Sequence, residues 1–149
     1  MKDPAEKLLD VSKALTRARQ CDSLLDVLRT ELNGIDIEVR EAELIALAHD
    51  LASDLYLSFW GDSQIGAFPG GIEASSLVGK LQAATRAMVD TVDMVSREPD
   101  ENQRRGHSTN VGWLQYIASD ILEELVPLLE RAASSATGPQ FEPPVGLAA

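Results

Sequence analysis

Two pairs of acids stand three residues apart, Glu38 with Glu41 and Asp90 with Asp93, in stretches that read as helix. Side chains at i and i+3 are neighbours on a helix surface, so each pair presents two carboxylates together, the donor type a hard cation such as Mg²⁺ takes. Acids make up 24 of the 149 residues, however, and chance then yields roughly four such pairs in a chain of this length. A solvated charged face is the better explanation for them. Softer ligands are His49, His107 and Cys21, with neither an HxxxH spacing nor a second cysteine, which argues against zinc. His49 lies beside Asp50 and at helical spacing from Ile45, Ala52, Ser53 and Tyr56. A general base could be built there, but no nucleophile or oxyanion donor is tied to it, and a hydrogen bond to a neighbour such as Ser53 is its ordinary use. Cys21 has Arg17, Arg19 and Asp22 nearby; cationic surroundings favour a thiolate, whereas burial makes the thiol inert. Neither a phosphate-cradling GxxxxGK[ST] loop nor a dinucleotide fingerprint is present, and no cofactor is expected.

The acid pairs are superficially similar to the ExxE and ExxD arrangement of all-helical nucleotide pyrophosphohydrolases. That likeness implies a Mg²⁺-dependent enzyme in which Glu38, Glu41, Asp90 and Asp93 converge in one cleft. Two further clusters could bind something. Arg104, Arg105 and His107 concentrate positive charge just before the last predicted helix, where an anion would also meet free backbone N–H groups. Tyr56, Phe59 and Trp60 crowd the end of the second predicted helix with Phe68 close behind, either as a partner-binding patch or as the cap of a bundle core.

Leu and Ala supply 20 and 18 residues, and apolar positions recur at three- and four-residue steps throughout. Asp3-Pro4-Ala5-Glu6 reads as a helix start, with an acid cap, proline where no N–H is needed, and Glu three residues after the cap. A first helix over about 4–33 follows, or two helices if the chain breaks at Cys21-Asp22. The spacing predicts further helices over about 37–60, 73–97 and 110–135. The third carries Leu77, Leu81, Ala84 and Met88 on one face; the last carries Leu114, Ile117, Ile121 and Leu125, with a kink at Pro127. Gly61 to Gly71 reads as a long loop, and Glu98 to Gly106, apolar only at Pro99, as a mobile connection. Gly138-Pro139 and Pro143-Pro144 mark residues 137–149 as an extended tail behind a single domain of residues 1–136. The expected fold is all-α, an antiparallel bundle of four, or five, amphipathic helices packed near +20°.

Thirteen basic residues against 24 acids give a net charge of −11, which disfavours direct nucleic-acid binding and docking on an anionic membrane. No apolar run approaches the length of about 18 residues that spans a bilayer, and the lone cysteine fits a reducing compartment, so the cytoplasm is expected. Charge is uneven: residues 1–20 carry five bases and three acids, residues 22–54 two bases and nine acids. The first helix shows more apolar breadth than one neighbour covers, with Leu9 and Leu24 to one side of its stripe, which predicts a homodimer through that helix. With no catalytic constellation and much helix surface, the chain reads as a non-enzymatic, acidic protein-interaction module, a small regulator or adaptor. The alternatives are an acidic inhibitor or immunity-type protein covering a basic site, and the Mg²⁺-dependent enzyme.

Overall fold

The computed structural model describes the backbone of residues 4–32, 36–61 and 70–148, and side chains within 11–32, 36–59 and 70–134. Four helices occupy almost all of it: α1 Pro4–Glu31, α2 Val39–Gly61, α3 Gly71–Arg97 and α4 Glu101–Ala148. There is no strand among the described residues. Helix α1 packs on α2 and α4, and α3 on α2 and α4, so each helix has two principal neighbours around one core. None of the described helices is long and apolar enough to cross a membrane.

Helix α1 passes through Cys21-Asp22 without a break, because the polar interruption there is confined to the outside of the helix. Val11, Ala14, Ala18, Cys21, Leu25 and Leu28 form an unbroken buried stripe at steps of three and four. Across from it α2 buries Glu41, Ile45, Ala48, Ala52, Leu55 and Phe59. The Cys21 thiol reaches the carbonyl of Ala48 at 3.5 Å, a contact that requires the two backbones to come close and that small residues allow. Leu47, placed by its spacing on the edge of the α2 apolar face, is exposed. The buried arc is centred on Ala48 and Ala52 and turns Leu47 outward.

Helix starts are chemically specified. In α2 the Glu41 carboxylate accepts the backbone N–H of Glu38 at 2.8 Å, the reciprocal half of a capping box, and the Ala42 N–H reaches the Glu38 carbonyl at 2.9 Å as the first helical bond. Asp100 caps α4 by accepting the Gln103 N–H at 3.0 Å, while its carbonyl takes the Arg104 N–H at 2.9 Å. The polarity of Glu98–Gly106 suggests a mobile connection, but the segment is helical from Glu101, since Asp100 with Gln103 three residues on starts the helix whatever its apolar content. Only Glu98–Asp100 links α3 to α4, with Glu98 extended as the residue before proline must be. Gly70 precedes α3 with φ +75, and a Cβ there would come within 3.0 Å of the Leu128 Cδ2, so both backbone and space call for glycine.

Helix α4 departs from expectation at its far end as well. It continues through Pro127, whose missing N–H lies on the exposed side, and onward to Ala148 in place of the extended tail over 137–149. Each proline deletes one amide donor but already holds a helical φ, so the backbone keeps its helical path. The expected loop at 61–71 falls largely outside the described residues.

Leu25→Ala and Leu81→Ala, each at a fully buried position, should lower unfolding stability by about 2–5 kcal/mol, whereas Leu57→Ala at an exposed position should stay within about 0.5 kcal/mol; denaturant titration reads the contrast. Glu41→Ala should cost about 1 kcal/mol through loss of the α2 cap. Glu41→Gln, which still offers an oxygen to the Glu38 N–H, should keep most of it.

Candidate interaction surface

The four acids of the two pairs do not converge. Glu38 and Glu41 are engaged in the α2 cap, and Glu41 is only 3% exposed. Asp90 pairs with Arg86 at 3.6 Å and Asp93 with Arg97 at 2.9 Å, each along its own helix. Among the described residues no group of three or more His, Cys, Asp or Glu side chains is placed to hold a metal ion. Acids at helical spacing thus serve here as a cap and as surface ion pairs.

His49 bridges α2 and α3. Its Nδ1 lies 3.0 Å from the Thr85 hydroxyl and its Nε2 3.5 Å from that of Ser53. Thr85 is buried and donates to the Leu81 carbonyl at 3.0 Å, so it accepts from the imidazole, which assigns the proton to Nδ1 and leaves Nε2 to accept from Ser53. The histidine is a structural bridge between two helices. Cys21 is fully buried, and burial, with Asp22 adding to it, pushes its thiol up to about 12, so it stays protonated at neutral pH.

Arg104 bonds Asp36 at 3.1 Å and the carbonyls of Glu98 and Pro99 at 3.2 and 2.9 Å, tying the link before α4 to the segment before α2. Arg105 stands 3.8 Å from Glu101 and His107 is half-buried. All three lie inside α4, past its N-terminus, where Asp100 already takes the Gln103 N–H. Of the aromatic cluster, Phe59 belongs to the core and Tyr56 is half-buried against it, with its ring beside Gly79 of α3. These two rings close the bundle interior and do not form a free patch. The side chains of Trp60 and Phe68 lie outside the described residues. So does that of Leu9; Leu24 is partly buried and packs against the core.

Two surfaces remain that sequence reasoning did not single out. Between the start of α2 and the end of α3 runs a groove of about 500 Å³, lined by Ile37, Val39, Ile45, Val89 and Val92 with Ala42 and Ala46, and edged by Asp90, Asp93 and Ser96. On α4, Trp113, Tyr116 and Ile117 are 64%, 52% and 50% exposed, and the two rings lie 6.3 Å apart. Ile117, expected on the buried stripe, faces out because Gln115 takes the core position. That amide is 1% exposed and donates to the Leu25 carbonyl of α1 at 3.1 Å and to Ser119 at 2.9 Å. The sequence signal for it was its register with Val111, Ala118 and Leu122, which its polarity disguised.

Partial desolvation on the flank of α1, with Asp26 adding to it, raises the carboxyl of exposed Asp22 above its ordinary value. Its ionised form therefore costs stability in the folded state at neutral pH, and the cost vanishes at acid pH where the group is protonated both folded and unfolded. Asp22→Asn should accordingly stabilise the protein at pH 7, with the gain shrinking to nothing as pH falls below the ordinary carboxylate range of about 4; paired denaturation curves across pH measure it.

Compared with known protein families, with curated proteins and with solved structures, the chain matches none of them.

Proposed function

We propose that the protein is a non-enzymatic interaction module that takes an apolar helical segment flanked by basic residues into the groove between α2 and α3. The groove itself carries this reading: an apolar floor long enough for a few side chains, with Asp90 and Asp93 on its edge and a net charge of −11 behind it. An amphipathic helix binds such a trough through side chains at i, i+3, i+4 and i+7, while acids at the margin select cationic flanks and speed encounter. The enzymatic reading gains no support, since among the described residues no three His, Cys, Asp or Glu side chains are placed together to hold a metal ion.

An antiparallel up-and-down order suits this role, because it leaves the groove as a straight channel between neighbouring helices. Cross-helix contacts support that order. Cys21 meets Ala48 while Glu31 meets Arg40, and Arg19 meets Glu130 at 2.7 Å while Leu25 meets Gln115. Ascending numbers on α1 thus meet descending numbers on both neighbours.

Affinity capture from native lysate with the wild-type chain and Ala46→Arg side by side tests the proposal. Ala46 is exposed on the groove wall, so the substitution blocks the trough while sparing the core. A partner retained by wild type, lost from the variant, and released as salt rises from about 0.1 M to about 0.5 M is the expected outcome. Capture indifferent to both changes would overturn it.

A further inference from the structure

The outward face of α4 carries a charge pattern that is complementary to itself. Trp113, Tyr116 and Ile117 span an arc of about 100° opposite the buried stripe of Val111, Gln115, Ala118 and Leu122. Exposed Arg105, whose own-helix contact with Glu101 is long at 3.8 Å and open to solvent, lies nine residues before Leu114, and exposed Glu123 nine residues after it, on the same side of the helix as Tyr116. Asp120 and Glu124 add to the acidic end of this face. A rotation of 180° about an axis crossing α4 beside Leu114 exchanges the basic end for the acidic one and lays aromatic upon aromatic.

We infer that the chain forms an isologous dimer in which the Trp113, Tyr116 and Ile117 face of α4 packs antiparallel on the same face of a second copy, with Arg105 against Glu123 of the partner subunit at both ends. Two-fold pairing requires a self-complementary patch, and this one is complementary in charge and in shape class. Within one chain Arg105 and Glu123 are about 27 Å apart along the helix, so they meet only between copies. From the fractional exposures, with large aromatic side chains of roughly 150–250 Å², the three residues offer roughly 350 Å² of surface per copy. Together with the charged rims, that places the interface near the low end of specific ones, a dimer that dissociates on dilution. The net charge of −11 on each copy opposes association at low ionic strength and is largely screened at about 0.15 M salt. The surface is separate from the α2–α3 groove and stands whether or not that groove binds a partner.

Sedimentation equilibrium on the full chain at about 0.15 M salt should show the mass rising from 16.1 kDa toward twice that value as concentration increases. Trp113→Glu, at an exposed position that leaves the core intact, should weaken association about 30-fold or more. Arg105→Glu and Glu123→Arg should each weaken it about 10-fold by setting like charges opposite one another, and the double variant should restore it. A mass that stays at 16.1 kDa over the whole range would overturn the inference, as would a dimer that Trp113→Glu leaves unchanged or a charge exchange that fails to rescue.

Discussion

The close seam between α1 and α2 sets the geometry to which the rest of the bundle conforms. Ala14, Ala18 and Cys21 on one helix and Ala48 and Ala52 on the other are all buried, and the thiol of Cys21 touches the Ala48 carbonyl. Small side chains bring the backbones together and leave the space for larger ones to the ends and the far side, where Leu25, Leu28, Ile45 and Leu55 meet Leu81, Met88, Leu122 and Leu125. A larger residue in the seam would wedge α1 from α2 and strain every contact beyond it. The same seam explains why Cys21 is chemically silent: a thiol used as a small core residue is desolvated too thoroughly to ionise.

Polar groups inside the bundle act as alignment pins. Gln115 joins α4 to α1, and the chain from Ser53 through His49 to Thr85 joins α2 to α3. Each adds little net stability, since water is given up for an equivalent bond, but each discriminates strongly against a slipped register that would leave a buried donor without an acceptor. Gln115 also has a consequence for the surface. By taking the core position it turns Ile117 outward to complete the aromatic face of α4, so one buried amide both fixes the fold and shapes the surface through which copies are inferred to meet.

Both candidate surfaces owe their properties to what the core does not use. The four helices cover one another's stripes, and the apolar side chains left outside them include those of the α2–α3 groove and the Trp113, Tyr116 and Ile117 face of α4. Among the described residues Asp90 and Asp93 are paired along α3, Glu31, Asp36 and Glu130 are paired with arginines of other elements, and Glu41 and Asp100 serve as caps.

The sequence by itself determined that the fold is helical and roughly where the first three helices lie, because helix periodicity and propensity are local properties read from a single segment. It also identified the buried face of α3 through Leu77, Leu81, Ala84 and Met88. The tertiary structure alone decided which side of each broad apolar face would be covered. Leu24 and Leu47 look equivalent in spacing, yet the first packs on the core and the second is exposed, since the choice depends on the positions of neighbouring helices. It decided as well that Glu41 and Asp100 are caps, that Arg104 is consumed by Asp36 and two carbonyls, and that Gln115 and Ile117 exchange their expected places. Those outcomes depend on partners distant in the chain or on backbone donors that residue type does not reveal. A site assembled from surfaces of different helices becomes legible only once the helices are set side by side.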